Sequence, residues 1–188
     1  MNKTKRQIFE SSIMLFAEIG YERTTMDDIA ARACVAKGTL YYYFKSKDDL
    51  FNYVVEEGIN ILKEVIRERT QMHENPIEKL DEIMKIQTEM INKYNKFFIF
   101  LLTQLWGSHE RQVRFREYIY EYLRLISSIL DEAKEKKLVG NEKSDIMAVA
   151  FFGMISSSMI YRLMSKKELD SEELANSFMK HFLTGYKM

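Results

Sequence analysis

Three observations predict an all-α fold. Seven Gly and one Pro in 188 residues leave little punctuation for strands and tight turns, which favours long helices. Apolar residues recur at spacings of three and four through most of the chain. Ser, Thr, Asn or Asp stand where those periodic stretches begin, as helix caps do. The result is about nine helices in two parts, a three-helix head over residues 1–47 and a helical body over 48–188. A hydrophobic fraction of 46% supports a substantial core, and 30% charged residues keep the surface solvated.

The first helix runs from about Lys3 to Ile19. Phe9, Ile13 and Phe16 share one face, with Ile8, Leu15 and Ile19 beside it. Gly20 is placed to end it. In the second helix Thr25 and Asp28 form a capping box, and Asp27 and Asp28 complement the helix dipole. Its inward residues are Ile29, Ala30 and Ala33; Cys34-Val35-Ala36 is the turn. The third helix spans about Lys37 to Phe44. Ser46 and Asp49 suggest a second capping box and a long helix to about Thr70, burying Leu50, Phe51, Val54, Val55, Ile59, Leu62, Val65 and Ile66.

A break follows at residues 73–76, where Asn75 caps a helix with Pro76 in its first turn. That helix reaches about Tyr94, with Ile77, Leu80, Met84, Gln87 and Ile91 on one side. Residues 97–106 are apolar nearly all round, which predicts a helix buried on most sides. Gly107-Ser108 ends it. The next helix, over 109–137, turns Val113, Tyr118, Ile119, Tyr122, Leu123, Ile126, Ile129 and Leu130 inward. Ser144 opens a helix to about Ser165. Asp170 and Glu173 cap the last one, whose Leu174, Phe178, Phe182 and Tyr186 lie near one face.

Composition narrows the function classes. The formal net charge is zero, but residues 1–47 carry eight Lys/Arg and five Asp/Glu, a net of +3 that the remainder cancels. That asymmetry directs a modestly basic head at an anionic partner. A single cysteine excludes an internal disulfide. The apolar runs 97–102 and 148–155 fall short of the ~18 residues of a membrane span. Glu10 and Glu18 interrupt the N-terminal segment, so a soluble cytoplasmic protein with no membrane partner is expected. His73, His109 and His181 stand far apart without metal-ligand spacing. No phosphate loop, nucleophile elbow or zinc-protease motif occurs. We therefore expect no enzyme, no catalytic residue, no metal and no cofactor. Cys34 reads first as a plain turn residue, the alternative being a redox-sensitive thiol near basic residues.

The third helix carries the strongest chemical signal. Leu40 and Phe44, four apart, must face inward. Gly38 and Tyr42 then face outward, flanked by Thr39, Tyr41 and Tyr43. Exposing three tyrosines on so short a helix is costly unless they contact something. Tyrosine and threonine hydroxyls and lysines are groups that meet phosphates and base edges. Gly38 removes a side chain where a backbone must be approached closely. These are the requirements of a recognition helix in a major groove.

With Gly20-Tyr21, Thr24-Thr25, Ile29-Ala30, Val35, the run from Lys37 to Phe44 and the run from Lys45 to Phe51, the first 50 residues resemble the tetracycline-repressor-like (TetR) family of transcriptional regulators. Two positions depart from the family pattern, which has Gly where Cys34 stands and Ser where Ala36 stands. The resemblance implies DNA contacts from Thr25, Lys37, Gly38, Thr39, Tyr41, Tyr42, Tyr43 and Lys47. Tyr42 and Lys47 are expected on phosphates, Thr39 and Tyr43 on base edges. The resemblance also implies a homodimer built from the last two helices and an inverted-repeat operator of double-stranded DNA; there Gly153 and Ser157, four apart, would let a partner helix approach and Phe178, Phe182 and Tyr186 would add apolar area, unless that face packs inside the monomer. The body would bind a small, largely apolar or aromatic effector that releases DNA. Tyr94, Phe98, Leu101, Trp106, Tyr118, Tyr122, Phe152 and Ile155 are the candidates to line its site, although residue by residue aromatics at helical spacing read first as core. Arg114, Arg116, Arg124 and Arg162 either pair an anionic ligand or stay on the surface. Two alternatives are a small-molecule-binding helical protein with a non-functional DNA-binding head, and a helical enzyme using the aromatic site.

Overall fold

The structure, a computed structural model, describes residues 1–165 and 170–186; the side chains of Arg162 and Leu163 lie outside the described set. The described residues form α1 (Lys3–Arg23), α2 (Met26–Arg32), α3 (Lys37–Tyr43), α4 (Lys47–Thr70), α5 (Pro76–Lys93), α6 (Asn95–Thr103), α7 (Glu110–Glu135), α8 (Ser144–Ser165) and α9 (Ser171–Gly185), with no strand among them. The chain packs as two compact units. Met1–Asn60 with Lys96–Arg116 form the first, and Ile61–Asn95 with Glu117–Met188 the second. The helices α4 and α7 each run on from one unit into the other.

Local signals set the ends of the helices in the first unit. The Asn2 side chain accepts from the Lys5 N–H at 2.9 Å and caps α1. Gly20 breaks the helical path at φ 80, ψ 165, a region open essentially to glycine alone. The turn from Gly20 to Thr24 is closed by the Thr24 hydroxyl, which donates to the Gly20 carbonyl at 2.7 Å. In α2 the predicted capping box is present. Thr25 Oγ1 accepts from the Asp28 N–H at 3.1 Å, and the Asp28 carboxylate accepts from the Thr25 N–H at 3.0 Å. The α2–α3 turn is a Schellman motif. The Val35 N–H reaches the Ala30 carbonyl at 3.0 Å and the Cys34 N–H the Ala31 carbonyl at 3.1 Å. Cys34 supplies the left-handed residue, at φ 53. Only half of the box predicted at α4 forms. Ser46 Oγ accepts from the Asp49 N–H at 3.1 Å, and Asp49 reaches the Lys45 N–H at 3.0 Å.

Phe16 is central to the core of this unit. Its ring lies 5.6 Å from Tyr21, 5.7 Å from Phe51 and 5.8 Å from Phe100, centroid to centroid. Such clusters add about 0.5–1.5 kcal/mol per pair beyond area burial. The helix α6 is less enclosed than its composition predicts. Phe97 and Phe100 are buried, whereas Phe98 and Leu101 are half-buried. It ends at Thr103, so Trp106 falls in the following turn and is 71% exposed. The Arg116 guanidinium holds that turn by donating to the Leu105 carbonyl at 3.0 Å and the Gly107 carbonyl at 2.9 Å.

In the second unit α5 packs along α9 and against α8. Leu80, Ile83, Met84, Ile126, Leu130, Met147, Phe151, Ala175 and Phe182 are buried there. The rings of Phe151 and Phe182 meet edge-on at 5.4 Å. The end of α7 repeats the α2 device. Lys137 takes φ 56, and the Leu138 N–H reaches the Ala133 carbonyl at 2.9 Å. One expectation changes. The stretch Ser144–Tyr161 of α8 is long and apolar enough, by length and composition alone, to cross a membrane. Uninterrupted runs hid this, because Ser156–Ser158 end the 148–155 run without making the window polar.

Candidate nucleic-acid interface

The face expected to read DNA is built on two buried anchors. Leu40 is fully buried and Phe44 nearly so, which fixes the rotation of α3 about its axis. Tyr42 is then 83% exposed and Tyr41 42%, with Lys37 and Gly38 exposed beside them and Thr39 and Tyr43 partly so. The rings of Tyr42 and Tyr43 meet edge-on at 5.3 Å. A Cβ built on Gly38 would meet nothing within 4 Å, so no contact inside the chain requires glycine there.

Several of these side chains are held in place. Lys37 Nζ pairs with Asp27 at 2.8 Å and lies 5.9 Å from the Tyr41 ring centroid. That hydrogen bond raises the lysine's pKa above its ordinary value. Both partners of the pair are exposed, and a phosphate can exchange for the carboxylate at little cost. Asn2 donates to the Tyr43 hydroxyl at 3.3 Å, and Lys5 Nζ lies 5.7 Å from the Tyr43 ring centroid. Thr25 donates its hydroxyl proton to Asp28 at 2.6 Å, a bond that holds the Asp28 carboxyl below its usual pKa.

Lys47 has a different placement from the others. Its ammonium donates to the backbone carbonyls of Tyr21 at 2.9 Å, Glu22 at 3.2 Å and Thr24 at 3.0 Å. It also lies 4.4 Å from the Tyr21 ring centroid. All three of its protons are engaged, so Lys47 ties the end of α1 to the start of α4.

Sequence reasoning missed the group that completes this tie. Arg111, at the start of α7, lies 4.1 Å from the Tyr21 ring centroid. It pairs with Glu22 at 3.0 Å and reaches Asp48 at 3.5 Å. The Tyr21 hydroxyl donates to the same Asp48 oxygen at 2.6 Å, and burial together with this bond pushes the phenol pKa well up. No local pattern announces contacts among positions 21, 48 and 111.

The candidate effector residues divide between the units. Phe98, Leu101 and Trp106 belong to the first. Tyr94, Tyr118, Tyr122, Phe152 and Ile155 belong to the second. There Ile155 is buried, Tyr122 and Phe152 lie ring to ring at 6.1 Å, Tyr118 is half-buried and Tyr94 is exposed. The buried Gln87 amide nitrogen donates to the Tyr122 hydroxyl, while its oxygen has no partner among the described residues. Arg114 is exposed 3.8 Å from Glu110, Arg116 holds the 104–109 turn, Arg124 is exposed, and the Arg162 side chain lies outside the described residues. Of the expected interface residues, Gly153 and Ser157 are exposed on α8. They share their face with Ile146, Val149, Ile160 and Met164, all more than half exposed. Phe182 is 1% exposed and buried within its own chain, with Tyr186 at 5.0 Å; Phe178 is half-buried. Among the described residues no cluster of three metal-ligating side chains occurs.

A helix-turn-helix head joined to a helical body defines a class of DNA-associated regulators. Residues 8–54 match the sequence profile described as "Bacterial regulatory proteins, tetR family". A Clostridium perfringens protein, named for a proposed role as a fatty acid metabolism regulator, superposes with a TM-score of 0.88 at 37% identity. The match covers 97% of this chain and 99% of that one. The Bacillus subtilis (strain 168) fatty acid metabolism regulator protein is 25% identical over 182 residues, 95% of this chain and 93% of its own. FadR from Bacillus subtilis, solved in complex with stearoyl-CoA, has a TM-score of 0.86 at 23% identity and covers 96% of this chain and 98% of its own. The chain belongs to the TetR family of bacterial transcriptional regulators.

Proposed function

We propose that the chain is a ligand-responsive repressor that binds an inverted-repeat operator as a homodimer and is released by a small, largely apolar effector. The carrying observation is α3 itself: Leu40 and Phe44 buried beneath an exposed Lys37-Gly38-Tyr41-Tyr42 face. On this reading residues 1–47 are the DNA-binding domain and 48–188 the effector and dimerisation domain. Tyr42, Tyr41 and Lys37 meet phosphates, and Thr39 and Tyr43 meet base edges. Lys47 acts by holding the backbone before Thr25, and exchanges a carbonyl for a phosphate only at the expense of that tie.

The second copy covers the outer face of α8. Ile146, Val149, Gly153, Ser157, Ile160 and Met164 follow spacings of three and four, so they form one apolar stripe with small residues at its centre. An unpartnered stripe of this kind is what a two-fold helical interface buries. A protein that reads operator DNA works beside the chromosome, and we place this one in the cytoplasm.

Two relatives are named for fatty acid metabolism, and FadR holds stearoyl-CoA. We take a fatty-acyl group as the effector's apolar part. Release requires the effector to favour the unbound state by about 1–3 kcal/mol or more. The test selects genomic fragments bound by the purified protein, then titrates acyl-CoAs of increasing chain length against the shifted complex. Release that strengthens with chain length supports the reading. A complex indifferent to every acyl-CoA removes the fatty-acyl effector while leaving the operator in place.

A further inference from the structure

The segment from Tyr21 to Thr24 is clamped from two sides. It follows the glycine break at Gly20 and leads directly into Thr25, the cap of α2. Its carbonyls cannot be satisfied by helical bonding there, and Lys47 takes three of them. Arg111 holds the other side. Its side chain is only 10% exposed, with the guanidinium against the Tyr21 ring and its nitrogens on Glu22 and Asp48. Asp48 also receives the Tyr21 hydroxyl, so one carboxylate joins α1, α4 and α7.

We infer, on the operator-binding reading above, that Arg111 is a positioning residue for DNA recognition: it clamps residues 21–24 and thereby sets where α2 and α3 stand. Three features support this beyond simple packing. A largely buried guanidinium is expensive unless paired, and here its two terminal nitrogens go to Glu22, at the end of α1, and to Asp48, the carboxylate that also holds the Tyr21 hydroxyl, while Nε has no partner among the described residues. The contact uses the planar, forked geometry of arginine, since it stacks on a ring and reaches two separate carboxylates. Finally, α7 continues unbroken to Glu135, so the clamp sits on a helix that also belongs to the second unit.

The experiment compares wild type, Arg111→Gln, Arg111→Lys and Arg114→Gln. The last removes a charge from an exposed position on the same helix. Two readouts are taken on folded protein: amide hydrogen exchange of residues 21–35, and affinity for operator against random DNA across a salt series. We expect Arg111→Gln and Arg111→Lys to lower protection at residues 21–25 by tenfold or more and operator affinity by tenfold or more. Random-DNA affinity and its salt slope should stay as in wild type, and Arg114→Gln should change neither protection nor the operator preference. A role limited to stability would lower the melting temperature of Arg111→Gln but leave operator preference and protection of residues 21–25 intact, and that result overturns the inference. Wild-type behaviour of Arg111→Lys would overturn it as well, since charge alone would then suffice. Should wild type show no operator preference, the DNA reading fails on its own, and the exchange data still decide whether Arg111 clamps the segment.

Discussion

Two residues around α3 carry opposite messages about glycine. Gly38 sits inside a helix, where glycine costs about 0.5–1 kcal/mol relative to alanine, and nothing in the chain occupies the space of a Cβ. We expect Gly38→Ala to raise stability by about that amount while weakening operator binding, because the added methyl meets DNA instead of protein. Denaturant melts and gel shifts on the same preparation check both halves; a gain in stability with unchanged affinity would remove Gly38 from the interface. Cys34 is the reverse case. It holds φ 53 at the left-handed position of a Schellman turn, where a side chain costs about 1–2 kcal/mol. Glycine gives back part of that gain through the freedom of the unfolded chain, so Cys34→Gly should stabilise by roughly 0.5–1 kcal/mol. A fall in melting temperature would contradict the strain argument.

At the scale of elements, sequence signals succeeded where cause and effect lie within a few residues. The caps at Thr25, Asn75 and Asp170, the break at Gly20 and the inward pair Leu40 and Phe44 all follow from neighbours one turn away. Long-range chemistry was hidden. The carbonyl cage around Lys47 and the Arg111 contacts join positions more than twenty residues apart, and no periodicity encodes them. Apolar spacing also fails to separate core from interface. Phe182 and Ile160 share the same helical patterning, yet Phe182 is buried within its own chain and Ile160 is half exposed. The proposed dimer interface is therefore better tested on α8 than at Phe182, where a charge would disrupt the core. We expect Val149→Glu to give a folded monomer by light scattering and circular dichroism; an intact dimer would move the interface off this stripe.

For the whole molecule, the inward-facing phenols give stability a definite alkaline limit. Burial raises the pKa of Tyr122, and burial with the Asp48 bond raises that of Tyr21. The folded state then keeps protons that the unfolded state loses above about pH 10. Their contribution is fully present below that pH and declines as the pH rises through the folded-state values. The melting temperature of wild type should fall more steeply between about pH 9.5 and 11 than that of Tyr122→Phe. Parallel curves would show that Tyr122 ionises without strain in the fold.

On the proposed function, the face above Leu40 and Phe44 reads an operator. Its most direct measurement is footprinting of the wild type and Tyr42→Ala, on a selected genomic fragment, across a salt series. Wild type should protect an inverted repeat, with log affinity falling linearly against log salt by roughly 0.9 per phosphate contacted. A stably folded Tyr42→Ala should protect it more weakly. Wild-type binding with no repeat in the protected region, or a Tyr42→Ala footprint matching wild type at every salt concentration, would contradict that function.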